Sequence, residues 1–278
     1  MCGRFWKSAG PPSRDGERAV DYQTLRWELS DGVLTLTLNR PEVLNAVNDR
    51  MAEELLDALR RAARQAEVRS VILTGAGRAF CSGQDLRERA GNSFSYAQHI
   101  RTRYVPVIVQ LQSLEKPVVA AVNGVAAGAG ASLALACDLR VASEEASFLQ
   151  AFTRIGLLPD SGATYFLPRL VGLGKAFELC YLAEPVGARE ALRLGLVNWV
   201  VPGPQLMDKA REVASRLASG PTRAYGFTKR ALLHNLTADL ASALDYEAML
   251  QEAAGRTEDH REGVQAFLEK RPPRYLGR

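Results

Sequence analysis

The stretch Lys116–Asp138, "KPVVAAVNGVAAGAGASLALACD", decides the fold. It runs an apolar strand, "KPVVAAVNG", into glycines and then into an apolar helix, the layout of a loop that cradles negative charge. A dinucleotide-binding loop has this layout but needs G-x-G-x-x-G and, about twenty residues on, an acidic residue for the ribose. Gly128 and Gly130 have the right spacing, but Leu133 stands at the third glycine position and Gln150 where the acid belongs. What remains is a helix N-terminus whose small residues let a ligand approach free backbone N–H groups, and such a terminus stabilises negative charge. A second turn of this kind lies upstream in "GAGRAFCSGQDLRERA", where Gly83 leads into Gln84, Asp85 and Leu86 at what reads as the start of another helix. Two backbone donors from separate loops, converging on one oxygen, make an oxyanion hole.

Working outward, "YQTLRWELSDGVLTLTLNRP" reads as two alternating strands joined at Asp31-Gly32 and stopped at Pro41. Asn48 or Asp49 then caps a helix whose apolar face carries Met51, Leu55, Leu59 and Ala62 or Ala63. A short buried strand, "VRSVILTGAG", a polar loop and a helix around Tyr96 to Ser113 lead into the strand quoted first. Continuous apolar strands alternating with helices predict parallel pairing covered by helices. After about residue 200 the patterns are helical only. The expected division is a flexible extension over 1–20, an α/β core over 21–200 and a helical region over 201–278.

Composition excludes several classes. The 278 residues are 47% hydrophobic and 24% charged, an ordinary globular balance, and the net charge of +4 is too small to argue for nucleic acid. The four cysteines have no paired spacing and lie mostly in apolar runs, which predicts reduced, buried thiols of a cytoplasmic protein. The three histidines, His99, His234 and His260, are far apart and lack ligand spacing, so no metal site is expected. No apolar run suits a signal peptide or a bilayer span, so no membrane is expected as a partner.

Taken in order, "LNRPEVLNAVN", "GAGRAFCSGQDL", "KPVVAAVNGVAAGAGASLALACDLRVAS", "ASFLQAFTRIGLLPDSGATYFLPRLVG", "AREALRLGLVNWVVP" and "EGVQAFLEKRPP" resemble the enoyl-CoA hydratase/isomerase (crotonase) family over roughly residues 22 to 275. The resemblance implies a ClpP-like spiral of ββα turns with a C-terminal helical trimerisation region, assembly as a homotrimer or a hexamer, and an acyl-CoA thioester substrate with no separate cofactor. It assigns the oxyanion donors to the N–H groups of Gln84 and Ala129. Leu44, Ala46, Ser82, Gly83, Gln84, Asp85, Leu86, Val125 and Gly128 match positions along the CoA and its thioester. Phe267 and Lys270 match the C-terminal helix that reaches CoA or closes a neighbouring site.

Hydratases of that family use two glutamates, and their positions correspond here to Ser132 and Phe152, neither of which does carboxylate work. Asp160, in "GLLPDSGATYFLPRLVG", reads from its neighbours alone as a turn or helix-cap residue. By the resemblance it sits where isomerases of the family keep a single acid/base. An apolar surround of Leu157, Leu158 and Phe152 would raise its pKa. Asp85 is the competing acid and reads as a loop-orienting or cap residue. The most similar pattern is that of the isomerases of bacterial phenylacetate degradation, which rearrange ring-1,2-epoxyphenylacetyl-CoA and can shift 3-enoyl-CoA double bonds. A pocket containing Phe152 and Tyr165 would suit a ring-bearing acyl group. The alternatives are a 2-enoyl-CoA hydratase with water held by Ser132 or Asp160, and a non-catalytic acyl-CoA-binding or RNA-associating protein.

Overall fold

The N-terminal alternation forms a hairpin, β1 (Leu25–Ser30) and β2 (Val33–Leu38), antiparallel with Ser30 opposite Val33. Its two-residue turn holds Asp31 and Gly32 at positive φ, +51° and +78°, the primed-turn geometry that matches strand twist. The structure, a computed structural model, describes residues 21–89 and 95–278; the expected extension over 1–20 lies outside the described residues. Helix α1 (Asp49–Arg64) starts where Asn48 Oδ1 accepts the Met51 N–H at 2.9 Å. Its buried face carries Met51, Leu55, Ala58, Leu59 and Ala62.

The chain then repeats one unit. Strand β3 (Ser70–Gly75) is followed by β4 (Ala79–Cys81), and then by α2 (Tyr96–His99) and α3 (Val105–Ser113). Strand β5 (Val118–Val122) is followed by β6 (Val125–Ala127) and α4 (Ala129–Leu135). Strand β7 (Leu139–Ser143) is followed by β8 (Ser147–Leu149), and then by α5 (Ala163–Val171) and α6 (Leu173–Leu182). The first strand of each unit joins a six-stranded sheet ordered β1-β2-β3-β5-β7-β10, where β10 is Trp199–Val201. The second joins a four-stranded sheet ordered β4-β6-β8-β9, where β9 is Val186–Gly187. All pairs in the large sheet except β1·β2 are parallel. This is the expected α/β spiral of ββα turns.

Three local expectations are corrected. The strand read over Lys116–Gly124 is β5, but the glycine turn expected right after it holds a second strand, because the chain leaves the large sheet after Val122 and enters the small one at Val125. Residues 118–122 and 126–127 are buried alike, so apolarity alone does not mark the bend. The helix expected over 96–113 is interrupted by a π-helical turn, Ile100–Tyr104, between α2 and α3. Leu86–Arg89, after the upstream glycine turn, is a single 3-10 turn rather than a helix.

After α7 (Ala188–Arg193) and β10, helix α8 (Leu206–Ala218) covers the large sheet. Its Leu206, Ala210, Ala214 and Ala218 form a second core with Val33, Ile72, Val119, Ala121 and Val141. The first helix beyond residue 200 therefore packs as part of the core. Helices α9 (Thr222–Asn235), α10 (Leu240–Gly255) and α11 (Glu258–Glu269) follow, and α9 is pinned to the core by Lys229, 2.9 Å from Asp138.

Candidate active site

The site forms in the turns that follow β4 and β6, the second strands of the first two units. The turn 44–47 and the turn 82–85 run side by side there: Ser82 N–H donates to Leu44 O at 3.0 Å, Val47 N–H to Gly83 O at 2.7 Å and Asp85 N–H to Val47 O at 2.9 Å. Gln84 bridges Val47 in parallel fashion. The Gly83 N–H is directed at the Cys81 sulfur, whose thiol burial pushes up to about 12. Ser82, Gly83 and Asp85 thus have their N–H groups committed, which sets how Gln84 is presented.

Two features missed at the sequence level hold these turns. Asn45, buried and at φ +56°, donates to Ala76 O at 2.9 Å and Ala79 O at 2.8 Å and accepts the Arg40 N–H at 2.9 Å. An Asn between apolar neighbours is a recognised signal for a left-handed residue and could have been read. Arg40 reaches Ala46 O at 2.6 Å and Asp85 Oδ2 at 2.9 Å, so the guanidinium ties the two turns together. Asp85 also accepts the Arg87 N–H at 3.2 Å, which gives it the loop-orienting role expected of it and leaves it ion-paired rather than available as an acid.

Helix α4 brings a second turn to this junction. Gly128, at φ +51°, ends β6 with its N–H on Leu149 O at 2.8 Å, and Ala129 is the first helical residue, whose N–H has no intrahelical acceptor. A methyl group at Gly130 would run into the Cys81 carbonyl, so glycine is what lets α4 close on β4. A methyl at Gly83, itself at φ +98°, would stand 3.5 Å from Ala129 N and 2.9 Å from Ala127 O. The turn presenting Gln84 and the turn presenting Ala129 therefore meet.

Across from them lies the loop before α5. Phe152 is buried, its ring 3.8 Å from where a Gly128 side chain would begin. Ser132, fully buried, donates to Asp160 O at 3.0 Å and lies 3.3 Å from Gly128 O. Its hydroxyl is thus a tie between α4 and the Asp160 loop, and Asp160 is the other residue to which the hydratase alternative assigned a water. Asp160 is partly buried, and its Oδ1 accepts the Ser161 hydroxyl at 2.8 Å. The apolar surround expected of Leu158 is not formed within one chain, since that side chain is 72% exposed.

Leu44, Ala46, Ser82, Gly83, Gln84, Asp85, Leu86, Gly128, Ala129 and Asp160 are thus carried on four neighbouring segments, with Val125 on adjoining β6. Three residues fall elsewhere. Tyr165 stacks on Arg169, 3.7 Å from the ring centroid, in a groove between α5 and α9 with Leu170 and Lys229, so it shares no pocket with Phe152. Phe267 and Lys270 lie exposed at the end of α11. That helix packs on α10, and the segment after it returns to Arg69 at the opposite end of β3 from the site.

Comparisons with known proteins show the family and the fold. The profile described as Enoyl-CoA hydratase/isomerase matches residues 28–278. A Rhodobacter capsulatus protein named "Probable enoyl-CoA hydratase" is 48% identical over 93% of this chain and 100% of its own. The 1,2-epoxyphenylacetyl-CoA isomerase of Escherichia coli is 44% identical over 89% of this chain and 96% of its own. Among solved structures, an enoyl-CoA hydratase from Bacillus anthracis superposes with a TM-score of 0.88 at 39% identity, covering 92% of this chain and 100% of that one.

Proposed function

The chain belongs to the enoyl-CoA hydratase/isomerase family, and from that premise we propose that it is an acyl-CoA isomerase in which Asp160 moves a proton while the N–H groups of Gln84 and Ala129 hold the enolate. The observation that carries this reading is the spending of the two hydratase positions. Ser132 is tied to the Asp160 main chain and Phe152 is a ring, which leaves Asp160 as the carboxylate on the loop that Ser132 joins to α4. Withdrawing the C2 proton of a 3-enoyl thioester puts negative charge on the thioester oxygen, where two fixed N–H dipoles stabilise it without reorganising. The same carboxylic acid then returns the proton at C4, leaving the 2-enoyl product. One group suffices because nothing is added to the carbon chain. The E. coli relative's name supports a ring-bearing thioester as a further substrate, in phenylacetate or fatty-acid degradation.

Asp160→Asn, assayed on a 3-enoyl-CoA thioester, is expected to lose roughly 100- to 10,000-fold in kcat. Wild-type turnover in that variant would remove Asp160 from the mechanism. The name of the R. capsulatus relative favours a second reading, hydration of 2-enoyl thioesters. Loss of the conjugated absorbance of crotonyl-CoA on incubation with the protein would select it, whereas CoA binding without turnover of any thioester would favour a non-catalytic role. Exposed Leu232, Leu236, Leu240 and Leu244 on α9 and α10 support association into a trimer or a pair of trimers, which light scattering would measure. No helix among the described residues is long and apolar enough to cross a membrane. The free thiols Cys81, Cys137 and Cys180 support a cytoplasmic setting.

A further inference from the structure

The turn after Asp160 takes a costly conformation. Ser161 has φ +52° and Gly162 φ +89°, two successive residues on the left-handed side. Glycine adopts that region freely, whereas a residue with a Cβ is strained there. Glycine occupies the second position but serine the first, although glycine would be less strained at both. The serine side chain is buried, 6% exposed, and its hydroxyl is directed at Asp160 Oδ1 across 2.8 Å. The main chain of Asp160 is held separately, its carbonyl accepting from Ser132 Oγ and from the Ala163 N–H, each at 3.0 Å. These groups, from α4 and from the turn before α5, are uncharged.

Resting on the assignment of Asp160 as acid/base, we propose that Ser161 is a positioning residue: its strained backbone aims a hydroxyl at Asp160 Oδ1, holding the carboxylate in one orientation and favouring its charged form. Strain retained beside a reacting group is a recognised mark of such a role. Ser132 and Ala163 fix where the residue begins; Ser161 fixes where its oxygens end. Without the hydroxyl, Asp160 Oδ1 loses the donor that Ser161 supplies, and the carboxylate is held less tightly in that rotamer.

The test compares Ser161→Gly with Ser161→Ala, both lacking the hydroxyl, the glycine variant also free of backbone strain. Carbon-13 titration of the Asp160 carboxyl, assigned by its loss in Asp160→Asn, needs no substrate. It is expected to move upward by roughly half a unit to one unit in both variants. Turnover of a 3-enoyl-CoA is expected to fall about 10-fold in kcat with KM within about twofold. Ser161→Gly is expected to melt at or above the wild-type temperature, so misfolding of the alanine variant leaves the test intact. An unmoved titration and wild-type kcat in Ser161→Gly, alongside inactive Asp160→Asn, would overturn the role of Ser161 alone. Full activity in Asp160→Asn would overturn the mechanistic assignment and this role with it.

Discussion

The Ser132 hydroxyl donates to the main-chain carbonyl of Asp160 across 3.0 Å, joining helix α4, which begins at Ala129, to the loop that carries the Asp160 carboxylate. Because Ser132 is fully buried, removing its hydroxyl leaves that carbonyl with one donor fewer and no water in its place. Ser132→Ala is expected to lower the unfolding free energy by about 1–2 kcal/mol and kcat several-fold, as read by urea denaturation and by turnover. Ser132→Glu would bury a carboxylate without a partner and is expected to cost about 3 kcal/mol or more, rather than to confer hydration.

The Arg40–Asp85 pair is more than four-fifths buried on both sides, at 17% and 8% side-chain exposure. Arg40→Met leaves Asp85 charged and largely dry, at an expected cost of about 2–4 kcal/mol, while Arg40→Met with Asp85→Asn recovers at least about 1 kcal/mol of it. A double-mutant cycle by urea denaturation measures the coupling. Wild-type stability of Arg40→Met would show that the pair contributes nothing.

Gly83 tests the oxyanion geometry separately from the carboxylate. A methyl there meets Ala127 O at 2.9 Å and is strained at φ +98°. Gly83→Ala is expected to displace the Gln84 N–H and lower kcat by roughly 100-fold, with KM changed much less. Steady-state kinetics on a 3-enoyl-CoA would contradict this by returning a wild-type kcat.

The C-terminal segment supplies a pH prediction. Arg271 makes a forked pair with Glu262, at 2.7 and 3.0 Å, and Arg274 N–H adds a third bond at 2.8 Å. These donors hold the carboxyl down to about 2, from an ordinary 4.5. The unfolded segment takes up its proton first, so the stabilisation is fully present above 4.5 and is lost as pH falls through about 2. Hydrogen exchange over residues 271–278, corrected for intrinsic rates, is expected to accelerate as pH falls through that window. Glu262→Gln is expected to show no such rise.

Several features needed only neighbours in the chain to be legible. Asp31-Gly32 could be read as a hairpin turn because a primed turn is a two-residue event. Asn48 could be read as a cap because the N–H it accepts is three residues away. Gly83 and Gly128–Gly130 could be read as places of close approach for the same reason. The break between β5 and β6 could not, since both segments are buried and what separates them is which sheet each joins. Nor could the packing of α8, whose Ala210 and Ala214 meet strands more than a hundred residues earlier in Ile72 and Val33.

The resemblance to a known family implied the spiral and the absence of a hydratase's carboxylates at Ser132 and Phe152; the sequence by itself determined an α/β alternation with two glycine turns suited to a negative oxygen. Those are matters of residue type and short spacing, which backbone sterics and capping translate directly. Only the tertiary structure decided that Asp85 is bound to Arg40, that Ser132 ties down Asp160 and that Tyr165 lines a groove between α5 and α9. A side chain's hydrogen-bond partner depends on which distant backbone the fold brings within about 3 Å, and that distance is a property of the packed chain rather than of any window of it.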